Sequence, residues 1–264
     1  MLGVHANNKP ISKYVSLLDV SKNTVGFTAA DLENLMNESA LLAARDDSKE
    51  ITGEHIKEAT FRVIVGPEKR SRVMNDFDKK ITAYHEAGHA ITVKIASKTQ
   101  KVDRISIIPA GMAGGYTASR PDEDTSYMTK SQLFSEIVVD LGGKAAEEII
   151  MGEVSTGASS DLQKANSIAM KMVTKYGMSD IVGNRIIEQG SDEVFIGREY
   201  GHKSTLSESL ASVVDSEVKK IIDAAYEEAK RILNENIDKL NKVAELLISQ
   251  EKIEGDEFEA LMTE

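Results

Sequence analysis

Two histidines four positions apart form the part of this sequence with the clearest chemistry, in the segment His85-Glu86-Ala87-Gly88-His89. On an α-helix, residues at that spacing lie on one face and one turn apart, so both imidazoles can reach the same point. This HExxH pattern suits a Zn²⁺ ion, which binds imidazole nitrogen in tetrahedral geometry. Glu86 follows the first histidine and can act as general base on a water molecule that attacks a carbonyl group.

The same pattern also arises by chance in helices whose histidines are merely solvated. Here Ile81, Tyr84, Ile91 and Ile95 recur near helical spacing, which predicts a helix with a buried apolar face. Gly88 costs about 1 kcal/mol relative to alanine inside a helix. It therefore indicates close approach by another backbone or by a substrate, or equally a packing contact with no function.

Composition narrows the function classes. The chain has 264 residues, a net charge of −11 and no cysteine, so a thiolate zinc site and a disulfide framework are excluded. The acidic balance argues against nucleic acid as a partner. No apolar run of about 18 residues occurs, so nothing in the sequence predicts a membrane span.

The elements that must position the histidines are predicted to be mainly α-helical, with a small β-sheet (mainly α, α+β). Residues 1–66 predict a small helical unit, with a capping box at Thr28 to Asp31 and a second cap at Thr52. Gly66-Pro67 and the basic residues after it predict a solvated linker over residues 67–75. Residues 76–264 form the second unit, and the HExxH helix begins at Asp76 or Asp78.

One strand is predicted between Val102 and Pro109 because β-branched residues dominate there. We expect it to offer an edge to which an extended substrate adds as a further strand. The alternative is a strand paired on both sides in the core. The substrate-binding residues of this hypothesis are Arg104, Ile105, Ser106, Ile107 and Ile108.

Apolar residues at helical spacing predict several helices in the second half of the chain. One of these helices carries Glu147 and Glu148 and ends at Gly152. After Leu206 the helical pattern runs for so long that an unbroken helix would measure about 68 Å at about 1.5 Å per residue. A break is therefore expected near Asn234 to Asn236.

A catalytic zinc site needs a third protein ligand and one position open to water. The residue types leave three acidic candidates: Glu147, Glu148 and Asp161. Glu148 lies on the same predicted helix face as Leu141, and Glu147 is the neighbouring position on that helix. Either glutamate can instead orient a ligand histidine through the second nitrogen of its ring. Asp161 is a short side chain at a helix start, after Gly157 and several serines.

The sequence resembles the FtsH-type AAA+ zinc metalloproteases along its whole length from Val4. Before the linker, the segments that carry the resemblance are Val4-His5-Ala6, Gly26 to Leu32 and Val65 to Glu68. After the linker they are Thr82 to His89, Ser106 to Pro109, Gly115-Tyr116-Thr117, Leu141 to Glu148, Ser155 to Leu162 and Tyr176 to Ser179. Together these segments are far more specific than HExxH alone.

The resemblance implies that residues 1–66 are the small lid of an AAA+ ATPase and that the rest is a peptidase. It implies that His85, His89 and Asp161 bind one zinc ion per chain and that Glu86 is the catalytic base. It also implies a homohexamer that uses ATP and Mg²⁺ to unfold protein substrates. The full-length protein would be anchored in a membrane through missing N-terminal segments, with this part on the cytoplasmic or matrix side.

The sequence has no G-x-x-x-x-G-K-[ST] motif, so we interpret the chain as a soluble fragment that does not hydrolyse ATP alone. Ala29 and Ala30 lie beside the expected adenine pocket, and Ala29 stands where many relatives have glycine. The predicted function is zinc endopeptidase. The alternatives are a catalytically silent assembly scaffold, or another metal such as Mn²⁺ or Fe²⁺ at the same ligands.

Overall fold

Helices account for most of the chain, and a small sheet accompanies them in the described residues, as the sequence predicts. The computed structural model describes residues 1–69, 74–111, 113–121, 127–187 and 207–263. The helices in those ranges are α1 (Leu2–Ala6), α2 (Leu17–Lys22), α3 (Ala29–Arg45), α4 (Gly53–Val65), α5 (Asp76–Ala96), α6 (Lys130–Met151), α7 (Ser159–Thr174), α8 (Glu208–Glu235), α9 (Ile237–Gln250) and α10 (Gly255–Thr263). The strands are β1 (Gln100–Ser106), β2 (Tyr116–Pro121) and β3 (Lys252–Glu254), and a 3₁₀ turn spans Thr156–Ala158.

Helices α1–α4 form an N-terminal group with its own apolar core, in which Leu35, Met36 and Ile51 are fully buried. The predicted caps are confirmed. The Thr28 hydroxyl accepts from the Asp31 N–H while the Asp31 carboxylate accepts from the Thr28 N–H. Such reciprocal bonds satisfy two donors that a helix start leaves unpaired.

Helix α5, which carries HExxH, is the centre of the second group. It packs against α6, α8 and α9 and against one side of β1. Asn75 caps it by accepting from the Asp78 N–H at 2.8 Å. The predicted break after the long apolar pattern is also confirmed, because α8 ends at Glu235 and α9 begins at Ile237.

The predicted linker is described only in part, since residues 70–73 lie outside the described ranges. Its first residues are not simply solvated. The Lys69 N–H donates to the Pro109 carbonyl at 2.7 Å, and the Gly111 N–H donates to the Pro67 carbonyl at 3.3 Å. Within the described ranges, none of the helices combines the length and apolar character needed to cross a bilayer.

The sheet has the order β2-β1-β3, and both pairings are antiparallel. Arg104 is opposite Ala118 on one side and Glu254 on the other, and Ser106 likewise has a partner on each side. β1 is therefore the central strand, and its backbone is already paired where a substrate edge was expected.

The prediction of a free edge from Arg104 to Ile108 is wrong for this reason. The strand ends at Ser106, and the Ile107 N–H donates to the Glu251 carbonyl at 3.0 Å. Its β-branched residues reflect burial, since Ile105 is 0% and Ile107 is 2% exposed. The β-branched residues indicate a strand, but they do not tell whether its edges are paired.

Arg104 joins the N-terminal helices to the sheet. Its guanidinium is buried and lies 3.9 Å from the centroid of the Phe61 ring. Nη1 donates to Glu58 Oε2 on α4 at 2.7 Å, and Nε donates to Glu254 Oε1 on β3 at 2.8 Å. One planar cation thus connects three elements through directional bonds.

We expect Arg104→Met to lower the free energy of unfolding by about 1.5–3 kcal/mol, because the variant loses two hydrogen bonds between charged groups. The matched control is Lys94→Met, which removes a half-exposed partner of Glu259 and should cost less than about 1 kcal/mol. Urea unfolding of both variants measures the difference. Equal losses would show that the Arg104 contacts add nothing beyond a surface ion pair.

Candidate metal centre

Helix α5 brings His85 and His89 together at the predicted spacing. Their Nε2 atoms are 3.0 Å apart, and the two rings meet edge to face with centroids 4.7 Å apart. His85 is 9% exposed. Both rings therefore point away from solvent toward one point beside the helix.

Asp161 completes this cluster from the first turn of α7. Its Oδ2 atom is 3.3 Å from His85 Nε2 and 3.5 Å from His89 Nε2. Its other oxygen accepts from Lys164 Nζ at 3.2 Å. Among the described residues, these three side chains form the group of histidine and carboxylate atoms close enough to share a metal ion.

The second nitrogen of each ring fixes the proton positions. His85 Nδ1 is 2.7 Å from Glu147 Oε1, and His89 Nδ1 is 2.8 Å from the Val139 carbonyl. Both partners are acceptors, so each Nδ1 carries a proton and each Nε2 of a neutral ring presents a lone pair. Two lone pairs and a carboxylate then face one another, which requires a cation between them.

The donor set fits zinc. Ligands about 2.0 Å from a tetrahedral ion lie about 3.3 Å from one another, and the three separations here are 3.0, 3.3 and 3.5 Å. Two imidazoles and one carboxylate also leave the fourth position for water. The atoms that would hold the ion are His85 Nε2, His89 Nε2 and an Asp161 oxygen.

The glutamate that contacts a ligand histidine is Glu147. It is 1% exposed, and its second oxygen accepts from the Ser155 N–H at 2.5 Å, while the Ser155 hydroxyl donates to Oε1 at 3.1 Å. Burial raises the pKa of Glu147, but the bond from His85 and those from Ser155 together outweigh it and lower the pKa. Glu147 therefore remains an anion that holds the His85 ring in place.

Glu148 points the other way, so the suggestion that it continues the inward face is wrong. Its carboxylate accepts from the Tyr226 hydroxyl and from Lys230 Nζ on α8. Neighbouring positions on a helix differ by about 100°. Because of this angle, Glu147 lies at the metal centre whereas Glu148 lies at the contact with α8.

The electrostatic balance around the rings favours a positive charge. Burial lowers the pKa of His85, but the carboxylates of Asp161 and Glu147 outweigh it and raise the pKa to about 10. Burial raises the pKa of Asp161, but its bonds to His85 and His89 hold the pKa well below the usual range. These carboxylates stabilise a cation at this point, whether a proton or a metal ion.

Glycines allow the supporting helix to come this close. A Cβ at Gly143 on α6 would lie 2.6 Å from Nε2 of both His85 and His89. Where the helices cross, a Cβ at Gly88 would lie 2.5 Å from the Gly142 carbonyl oxygen. The prediction that Gly88 marks a close backbone approach is confirmed, and the neighbour is α6.

Glu86 lies on the same helix between the two histidines and is 6% exposed. Its Oε2 atom accepts from the Thr117 hydroxyl at 2.8 Å. Burial raises the pKa of Glu86, and the adjacent imidazoles lower it by less. A carboxylate with a raised pKa is a stronger base, which suits proton abstraction from water.

Sequence reasoning missed the roles of Ser155, Thr117 and Gly143. All three lie inside segments that carried the family resemblance, which was the signal available. Their contacts depend on how separate elements meet, so no spacing rule reveals them.

A profile of peptidase family M41 matches residues 72–261. The chain belongs to peptidase family M41. A second profile, the AAA+ lid domain, matches residues 15–58.

Relatives of this M41 chain are similar along its whole length. It is 60% identical over 261 residues to the ATP-dependent zinc metalloprotease FtsH of Ruminiclostridium cellulolyticum, covering 99% of this chain and 42% of that protein. It is 51% identical to the ATP-dependent zinc metalloprotease FtsH 1 of a Thermoanaerobacter species, covering 98% and 42%. It is 44% identical to the ATP-dependent zinc metalloprotease FtsH of Bacillus subtilis, covering 99% of this chain and 41% of that protein. The chain thus spans about two fifths of the length of these relatives.

We expect three carboxyl variants of this M41 chain to differ in zinc content after dialysis. Asp161→Asn should lose the metal, because a neutral amide replaces an anionic ligand. Glu147→Gln should weaken zinc affinity about 10–100-fold by releasing His85. Glu148→Gln is the matched control on the same helix and should keep full zinc. Full zinc in Asp161→Asn together with loss in Glu147→Gln would reverse the assignment.

Proposed function

We propose that this chain is the zinc-dependent endopeptidase part of an ATP-dependent, membrane-anchored protease. The observation that carries the proposal is the convergence of His85, His89 and Asp161 beside the buried carboxylate of Glu86. Membership of family M41 and the similarity to ATP-dependent zinc metalloproteases support the same function.

The residues divide the chemistry between binding and proton transfer. His85, His89 and Asp161 would hold the zinc ion, and Glu147 would keep the His85 ring aligned. When bound, zinc supplies Lewis-acid polarisation of the scissile carbonyl and makes water a better nucleophile at neutral pH.

Glu86 would move the proton. It takes one proton from water as the water oxygen adds to the carbonyl carbon. It then gives that proton to the amide nitrogen as the C–N bond breaks, so the products are a carboxylic acid and an amine. The raised pKa of Glu86 favours the uptake of this proton from water.

A catalytically silent scaffold would need none of this arrangement. Burying an ionisable carboxylate costs free energy, and a scaffold has no need of a base between the two histidines. The position of Glu86 therefore favours catalysis over a purely structural role.

We further propose the domain boundaries 1–66 for the AAA+ lid, 67–75 for a linker and 76–264 for the peptidase. The AAA+ lid profile supports the first of these. Contacts of Ala29 and Ala30 with adenine remain a prediction for the full-length protein with ATP and Mg²⁺. Both residues lie exposed in the first turn of α3, where a ligand can reach them.

The full-length protein would degrade unfolded or membrane proteins as a homohexamer, with this part on the cytoplasmic or matrix side. That location is testable by protease accessibility in intact and opened membranes.

We expect Glu86→Gln to abolish casein cleavage while zinc stays bound. The amide keeps the shape of the side chain and can still accept from Thr117, but it cannot take a proton. Casein turnover and zinc content are measured on the same preparation. Loss of zinc in proportion to activity would instead make Glu86 part of the binding site.

We expect the chain to self-associate at high concentration, because the family resemblance implies a homohexamer and residues 125–250 are rich in helical surface. Light scattering over a concentration series measures the mass. A strictly monomeric mass at the highest concentration contradicts self-association of this part.

A further inference from the structure

Thr117 on β2 makes a contact with Glu86 that the proposed function leaves unused. Its hydroxyl oxygen is 2.8 Å from Glu86 Oε2 and 3.0 Å from the backbone carbonyl oxygen of Glu86. β2 pairs with β1 and places Thr117 opposite the fully buried Ile105. The hydroxyl is therefore fixed by the sheet, while Glu86 is fixed by α5.

Gly115, the residue before β2, allows the strand to lie this close to α5. A Cβ at Gly115 would lie 2.7 Å from Thr82 Cγ2 and 3.0 Å from Glu86 Oε1. It would also lie 2.9 Å from the Ser106 carbonyl oxygen. The start of the strand thus packs directly on the turn of helix that carries the base.

A hydroxyl suits a group that changes its protonation state. It has one hydrogen to donate and two lone pairs to accept with. It can donate to ionised Glu86, and it can accept from protonated Glu86 while donating to the Glu86 carbonyl oxygen 3.0 Å away. Buried polar atoms remain hydrogen-bonded in both states, so neither state carries the cost of an unsatisfied group.

We propose that Thr117 is a positioning residue for the general base, holding Glu86 in one orientation through both halves of the proton transfer. This inference rests on the proposed function of Glu86. It requires a hydroxyl at this position, and the methyl group of threonine is not essential to it.

The test compares Thr117→Val and Thr117→Ser in the full 264-residue chain. Valine keeps the shape and removes the hydroxyl, whereas serine keeps the hydroxyl and removes the methyl. Ser119→Ala is the matched control, because Ser119 is on the same strand and bonds to Gln100. kcat and KM for a fluorogenic peptide, zinc content, and the Kd of a peptidyl hydroxamate are measured for each variant.

Thr117→Val should lower kcat about 10–100-fold, in the range found when a partner that orients a site residue is removed. KM and zinc content should stay near those of the unmodified chain. Hydroxamate binding should weaken about tenfold, because a hydroxamate that donates a hydrogen bond to Glu86 would lose the aligned carboxylate as its acceptor. Thr117→Ser and Ser119→Ala should stay within about threefold in every measurement.

Two results overturn the proposal. One is unchanged kcat and hydroxamate Kd in Thr117→Val. The other is an equal loss in Thr117→Ser and Thr117→Val, which would indicate a packing role for the methyl group. Glu86→Gln, measured in parallel, separates this inference from the function it rests on. Full activity in Glu86→Gln would refute the base, whereas its inactivity beside an active Thr117→Val would refute only the role of Thr117.

Discussion

The close crossing of α5 and α6 is the constraint on which the rest of the structure depends. Gly88 and Gly142 let the two backbones touch, and Gly143 leaves room for both imidazoles. Only at that separation can α5 supply His85 and His89 while α6 supplies the Glu147 carboxylate and the Val139 carbonyl that contact their rings. Each glycine inside a helix lowers helix stability by about 1 kcal/mol relative to alanine, and the close approach of the two helices requires this loss.

Charge balance sets the second requirement. Glu86, Glu147 and Asp161 bring three carboxyl groups into a largely buried space that holds two imidazoles. Buried charges are tolerated when each has a partner. Ser155 and Thr117 supply such partners from outside the two crossed helices, so a loop and a strand become part of the centre.

The sequence alone predicts the local parts of this structure well. HExxH, the capping box at Thr28 and the break before Ile237 depend on neighbours in the chain, and all three are found. Asp161 followed from the family resemblance, since the residue types alone left three candidates.

The failures concern contacts between distant segments. β3 has three residues, too few for an alternating pattern to reveal it, so β1 looked like an edge. Glu147 and Glu148 are adjacent, and the direction of each depends on where α5 and α8 pack around α6. Tertiary packing sets those positions, so the residue pattern of a single helix does not predict which glutamate faces the histidines.

The pairing of β1 with β3 also has a consequence for synthesis on the ribosome. The two strands lie about 150 residues apart, so the edge of β1 has no partner until almost all of the chain described here has emerged. The N-terminal helices depend on near neighbours and can fold early, whereas long-range strand pairing is slow. The sheet is therefore completed late, and the nascent chain passes through a stage in which β1 can pair with β2 while its other edge is still open.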